Sequence, residues 1–199
     1  MAITAEQVKA LREKTGAGMM ECKAALSETN GNMDEAITVL RKRGLASAAK
    51  RAGRTTSQGQ VASYIHMGGK LGVLVEVNCE SDFVARTEEF SSLVHDIAMH
   101  VAAADPRYVR REDVPADVLE REKSIYRAQF EGSGKPPAVV EKIVEGKLGS
   151  FYEQTVLLDQ AFVKDPSVTI SQLLAQAVAR TGENMMISRF SRFKLGEGA

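Results

Sequence analysis

The feature that most constrains this chain is a run of strict alternation interrupted by two adjacent glycines. Val61, Ser63 and Ile65 alternate with Ala62, Tyr64 and His66; Gly68-Gly69 follows, and Leu71, Val73, Val75 and Val77 then recur at every second position. A period of two puts alternate side chains on opposite faces of a strand. Paired glycines supply the positive backbone angles of a tight turn. The expectation is a β-hairpin with one face defined by the leucine and the valines.

The segment before the hairpin has the other period. Thr4 can cap a first helix, with Gln7 in the reciprocal place of a capping box and Val8 and Leu11 as an apolar stripe. Thr15-Gly-Ala-Gly18 breaks it. Cys22, Ala25 and Leu26 mark a second helix, ended by Asn30-Gly31. Asn32 or Asp34 can open a third, bearing Ala36, Ile37 and Leu40, for which Gly44 is a natural stop. Residues 1–45 therefore read as a small helical bundle. Residues 46–58, rich in Ala, Lys, Arg, Gly and Ser, read as a linker.

After the hairpin the pattern is mostly helical again. Thr87 opens a helix to about Ala104, with Phe90, Leu93, Val94, Ile97 and Val101 on one stripe, and Asp105-Pro106 stops it. Pro115 suits the first turn of the next helix, which Gly132 closes. Residues 139–158 are helical with a weak point at Gly149, and Ser167 to Thr169 lead into a helix through Leu173, Leu174, Ala177 and Val178. Thr181-Gly-Glu-Asn184 is a turn. Met186 to Leu195 alternate as a last strand able to pair with the hairpin. The fold class is α+β, with a core domain over residues 59–199.

Composition narrows the function classes. The 26 basic and 26 acidic residues cancel, so the whole molecule has no electrostatic footprint for nucleic acid or an anionic membrane. The longest apolar run, near Leu71 to Val77, is too short to span a bilayer, and the N-terminus lacks the pattern of a signal peptide. Cys22 and Cys79 have no paired-ligand spacing, which argues against a zinc site or disulfide framework. The expectation is a soluble protein of a reducing cytosol.

Sites for covalent chemistry are lacking. His95 and His100, five apart on one helix, fall on different faces, whereas paired ligands want a spacing of three or four. Gly16-Ala-Gly18 lies between helices rather than after a strand, and Gly132-Ser-Gly-Lys135 lacks the offsets of a phosphate loop. No catalytic residue, metal ligand or cofactor is expected.

Two segments remain. Met19 and Met20 follow a glycine-rich turn, and either fill the core of a tiny bundle or form an adaptable contact surface. In Asn78-Cys-Glu-Ser-Asp-Phe-Val-Ala-Arg86, Phe83 sits on a loop between strand and helix. It either folds back as a hydrophobic staple or stands out as an aromatic anchor for a partner.

The stretch Leu11-Arg-Glu-Lys-Thr-Gly-Ala-Gly-Met-Met-Glu-Cys-Lys23 resembles the N-terminal signature of the elongation factor Ts family. Glu76-Val-Asn-Cys-Glu-Ser-Asp-Phe-Val-Ala85 resembles its second signature. Asp96–Ala102, Val144–Lys147 and Arg189–Gly198 are further family-like stretches, so the likeness runs along the chain in family order. Ser81 stands where the family usually has Thr, which keeps the hydroxyl. The chain is similar to the short, single-core forms.

The resemblance implies an N-terminal UBA-like domain ahead of an antiparallel sheet packed with helices. It implies a guanine-nucleotide exchange factor whose partner is the GTPase elongation factor Tu. Ser81, Asp82, Phe83 and Val84 would form the motif that dislodges the magnesium and phosphate-loop arrangement, with Phe83 as the wedge. Arg12, Met19 and Met20 would hold another face of the GTPase domain, and His66 would press near its phosphate loop. Neither nucleic acid nor a membrane would be a direct partner. A single-core form, whose sheet would leave a face or edge uncovered, is expected to be a homodimer. The rival reading is an RNA- or ribosome-associated module using the basic segment Lys42 to Arg54.

Overall fold

The computed structural model of the chain describes residues 3–197. Residues 1, 2, 198 and 199, among them the Gly198 that ends the C-terminal family-like stretch, lie outside the described residues. The described chain divides into two compact units. One comprises the residues up to Val61 with Glu76–Val94 and Gln172–Ile187, and the other Ala62–Val75, His95–Ser171 and the residues from Ser188 onward.

Three helices open the chain: α1 (Ala5–Thr15), α2 (Met19–Glu28) and α3 (Met33–Arg51). The capping box at Thr4 forms as expected. The Gln7 amide donates to the Thr4 hydroxyl at 3.2 Å, and the Thr4 amide donates to Gln7 Oε1 at 3.0 Å. Gly16, at φ 66°, closes α1 in a left-handed turn that only a glycine takes without strain. Of the two candidate caps for α3 it is Asn32 that serves, its Oδ1 accepting from the amides of Asp34 and Glu35. Val8, Leu11, Cys22, Ala25, Leu26 and Ala36 form the core of this bundle.

Gly44 does not stop α3. The helix runs through it to Arg51, so the first part of the expected linker, residues 46–51, is helical. Ala46, Ala48, Ala49 and Lys50 are strong helix formers and carry the helix past a single glycine. Gly44 is also buried: a Cβ there would lie 3.8 Å from Ala179 Cβ and 3.9 Å from the Ala175 carbonyl oxygen. Tertiary packing, not capping, decides this position.

The hairpin forms from β1 (Gln58–Ile65) and β2 (Leu71–Cys79). The His66 amide donates to the Leu71 carbonyl at 2.8 Å across the turn. Val73, Val75 and Val77 are buried, as their alternation requires. The last strand, β5 (Met185–Lys194), lies beside β2, giving the order β1-β2-β5. At Gly59, with φ 146°, a Cβ would meet the Val77 carbonyl oxygen at 2.2 Å, so this strand residue must be glycine.

After β2 come a single helical turn, α4 (Asp82–Ala85), and α5 (Glu88–Ala104). Phe90, Leu93, Val94, Ile97 and Val101 of α5 are all buried, the stripe expected from the sequence. Helices α6 (Ala116–Ala128) and α7 (Pro137–Thr155) pack together, and a bidentate pair joins Arg127 to Glu141 at 2.8 and 3.0 Å. Gly149 does not interrupt α7. A short antiparallel pair, β3 (Ala161–Phe162) and β4 (Asp165–Thr169), precedes α8 (Ile170–Thr181). Neither strand shows a period of two in the sequence: β3 is two residues long, and β4 has Val168 as its one large apolar residue beside Pro166.

Candidate functional site

The segment expected to be a loop around Phe83 is instead the helical turn α4, built by side-chain caps. Ser81 is its N-cap, in extended conformation at φ −123° and ψ 151°, and its Oγ accepts from the Val84 amide at 3.3 Å. At the far end the Thr87 hydroxyl donates to the Val84 carbonyl at 2.8 Å and accepts from the Phe90 amide at 3.2 Å. One side chain thus closes the turn and opens α5. Gln60 of β1 adds a third tie, donating to the Ala85 carbonyl at 2.6 Å and to Ser91 Oγ at 2.9 Å.

The N-terminal end of the turn is held from much further along the chain. Ser81 donates from its hydroxyl to Glu183 Oε1 at 2.6 Å and from its amide to Glu183 Oε2 at 3.0 Å. The neighbouring pair reverses the roles: Glu80 Oε1 accepts from the Asn184 amide at 2.6 Å. Asn184 is buried, and its side chain donates to the Arg54 carbonyl at 2.9 Å. Two carboxylates are therefore exchanged between residues 80–81 and 183–184. The turn at Thr181–Asn184 is legible in the sequence, but nothing there signals this partnership.

The result is a rigidly mounted aromatic ring. Val84 (6% exposed) and Ala85 point into the core and anchor the turn, while Phe83 is 81% exposed. The ring does not fold back onto the core as a staple; it stands exposed. Asp82 is exposed beside it and pairs with Arg86 at 2.6 Å. Under the turn, burial raises the pKa of the Cys79 thiol, with the charges of Glu183 and Asp82 adding to the effect. Its Sγ donates to the Ser81 carbonyl at 3.2 Å. A buried thiol of this kind is not a nucleophile.

In the same unit, Met19 and Met20 are 54% and 74% exposed at the start of α2, so they do not fill the bundle core. Arg12 is exposed on α1. His66, in the other unit, is exposed at the hairpin end, with its Nδ1 3.1 Å from the Tyr64 hydroxyl.

The remaining histidines lie on different faces of α5, as the spacing implied. His95 is exposed, and its ring meets Tyr64 edge-on. His100 is fully buried, with Nε2 3.0 Å from Gln160 Oε1 and Nδ1 accepting from the Val163 amide at 3.3 Å. Burial lowers its pKa, against the opposing effect of the Gln160 hydrogen bond. Both ring nitrogens are occupied by structural bonds. Among the described residues, no three His, Cys, Asp or Glu side chains cluster as metal ligands. What the surface offers is a braced aromatic anchor and a pair of exposed methionines, which suit binding to another macromolecule.

The family model described as elongation factor TS matches residues 1–197. The elongation factor Ts of Koribacter versatilis is 59% identical over 197 residues, covering 99% of this chain and 90% of the relative. That of Geobacter sulfurreducens is 59% identical over 198 residues, covering 100% of this chain and 92% of the relative. That of Fervidobacterium nodosum is 58% identical over 197 residues, covering 99% and 100%. Likeness at this level runs along nearly the whole chain, and the chain belongs to the elongation factor Ts family.

Proposed function

We propose that this protein is a guanine-nucleotide exchange factor of translation elongation, which binds elongation factor Tu in its GDP-bound form and promotes GDP release. The observation that carries the reading is the exposure of Phe83 on a turn fixed at both ends. The ring enters an apolar slot of the GTPase domain, with Asp82 at the rim. Ser81 and Val84 hold the turn in place. Movement in the partner displaces the arrangement of magnesium and phosphate loop that grips the nucleotide. Arg12, Met19 and Met20 supply a second contact, and His66 a third near the phosphate loop.

No covalent step is needed, and the protein is not an enzyme in the bond-making sense. A factor that binds nucleotide-free partner more tightly than GDP-bound partner weakens GDP by the same ratio, because linkage is reciprocal. The test is release of fluorescent GDP from purified elongation factor Tu. Addition of this protein accelerates release; an unchanged rate at saturating concentrations overturns the reading.

The active form is a homodimer of the cytoplasm. On the hairpin and β5, Ile65, Leu74, Phe193 and Leu195 stand exposed around a shallow groove, with Phe193 at 69%. A patch of large apolar side chains on a sheet face is characteristic of an interaction surface, and a second copy supplies a self-complementary cover. Sedimentation at micromolar concentration is expected to give a dimer, and Phe193→Glu a monomer; a monomeric parent protein refutes this. The rival RNA-binding reading loses support because cations of its basic segment are engaged. Arg43 pairs with Glu28 at 2.5 Å, Arg54 with Glu80 at 3.4 Å, and Arg51 donates to the Gly182 carbonyl at 2.9 Å.

A further inference from the structure

We propose that Glu183 is a positioning residue for nucleotide exchange, holding the Phe83 turn in its binding geometry by accepting both donors of Ser81. The inference rests on the reading of Phe83 as the wedge. Helix α4 has four residues and closes only two backbone hydrogen bonds of helical span, Ala85 to Ser81 and Arg86 to Asp82, each 3.2 Å. An isolated turn this short is far below the length at which a helix sustains itself. Its conformation must therefore be imposed from outside.

Burial of Val84 and Ala85 and the Thr87 and Gln60 bonds fix its C-terminal half. Asp82 and Phe83 lie in the other half, where Ser81 is the point of attachment. With its proton committed to Glu183 at 2.6 Å, the Ser81 hydroxyl presents a lone pair to the Val84 amide. The same carboxylate takes the Ser81 amide at 3.0 Å. Charge-assisted bonds of this kind are shorter and stronger than neutral ones. A glutamine at 183 offers one acceptor oxygen and an NH2 donor in place of two acceptor oxygens, so it cannot meet both donors in the same two-pronged geometry, and the charge that strengthens both bonds is gone. The ring then explores more orientations before docking.

The experiment is a double-mutant cycle on the full chain, read as the second-order rate of GDP release from elongation factor Tu. Glu183→Gln is expected to lower that rate about tenfold, within the range that misplacement of a contact group produces. In the Phe83→Ala background it is expected to have no further effect, because a positioning residue acts only through the group it positions. Ser81→Ala should reproduce Glu183→Gln, and Ser81→Thr, which keeps the hydroxyl, should restore the parent rate. Thermal melts run alongside, and the Ser81 pair carries the test if Glu183→Gln does not fold. An unchanged rate for Glu183→Gln and Ser81→Ala, with Phe83→Ala impaired, overturns the proposal alone. So does an equal further loss in the Phe83→Ala background, which would mark a general structural role. An unaltered rate for Phe83→Ala overturns the underlying site reading instead.

Discussion

Phe83→Ala should separate stability from affinity. The ring is 81% exposed, so its removal takes almost no apolar contact from the fold. An exposed substitution of this kind changes stability by at most about 0.5 kcal/mol. Affinity behaves differently. A phenylalanine side chain buries roughly 200 Å² when enclosed, of which the exposed four-fifths is roughly 160 Å² still available to a partner. At about 25 cal/mol per Å², complete burial of that area would contribute about 4 kcal/mol. Ordering costs and incomplete enclosure reduce this, and a loss of about 2 kcal/mol is typical of an interface anchor. That corresponds to roughly thirtyfold weaker binding. Calorimetric titration of nucleotide-free elongation factor Tu with parent and variant measures the loss, and a urea melt of each measures stability. Equal affinities with equal melts would refute the assignment of the ring as anchor. A large drop in stability would refute the claim that it stands free of its own core.

Three further outcomes follow from particular contacts. Gly44→Ala should be neutral or stabilising by up to about 1 kcal/mol, since alanine favours the helix and the added Cβ meets its neighbours at ordinary contact distance; chemical denaturation checks it. Gly59→Ala should destabilise by several kcal/mol, about 3 or more, because the Cβ collides with backbone at a strained φ; the same melt reads it. For His100, the folded pKa lies below the ordinary 6.5, so the unfolded chain takes up the proton first. Stability is therefore full above pH 6.5 and falls below it, by up to about 1.4 kcal/mol per pH unit until the folded pKa is reached. His100→Gln should remove that slope, and an unaltered slope would show that another group carries it.

Elements whose cause is local were legible in the sequence. Thr4 and Gln7 are three residues apart, and the box they form needs nothing else. The stripe of α5 and the alternation of β2 are periods that survive into burial almost residue for residue. Gly44 shows where local reasoning gives way, because the same glycine that ends an isolated helix can continue one that packs closely against another. Phe83 carried a recognisable motif, but residue type alone left open whether its ring faced in or out. The ring stands out on a turn whose Ser81 bonds to Glu183 span 102 residues and leave no periodic trace.

That span has a bearing on when the protein becomes competent during its own synthesis. The turn is translated 102 residues before Glu183, whose carboxylate accepts from Ser81. Until Glu183 is translated, the Ser81 amide and hydroxyl lack that carboxylate. Both bonds form only once Glu183 has left the exit tunnel. A nascent chain that stops short of residue 183 would therefore carry the turn without the carboxylate that accepts both Ser81 donors.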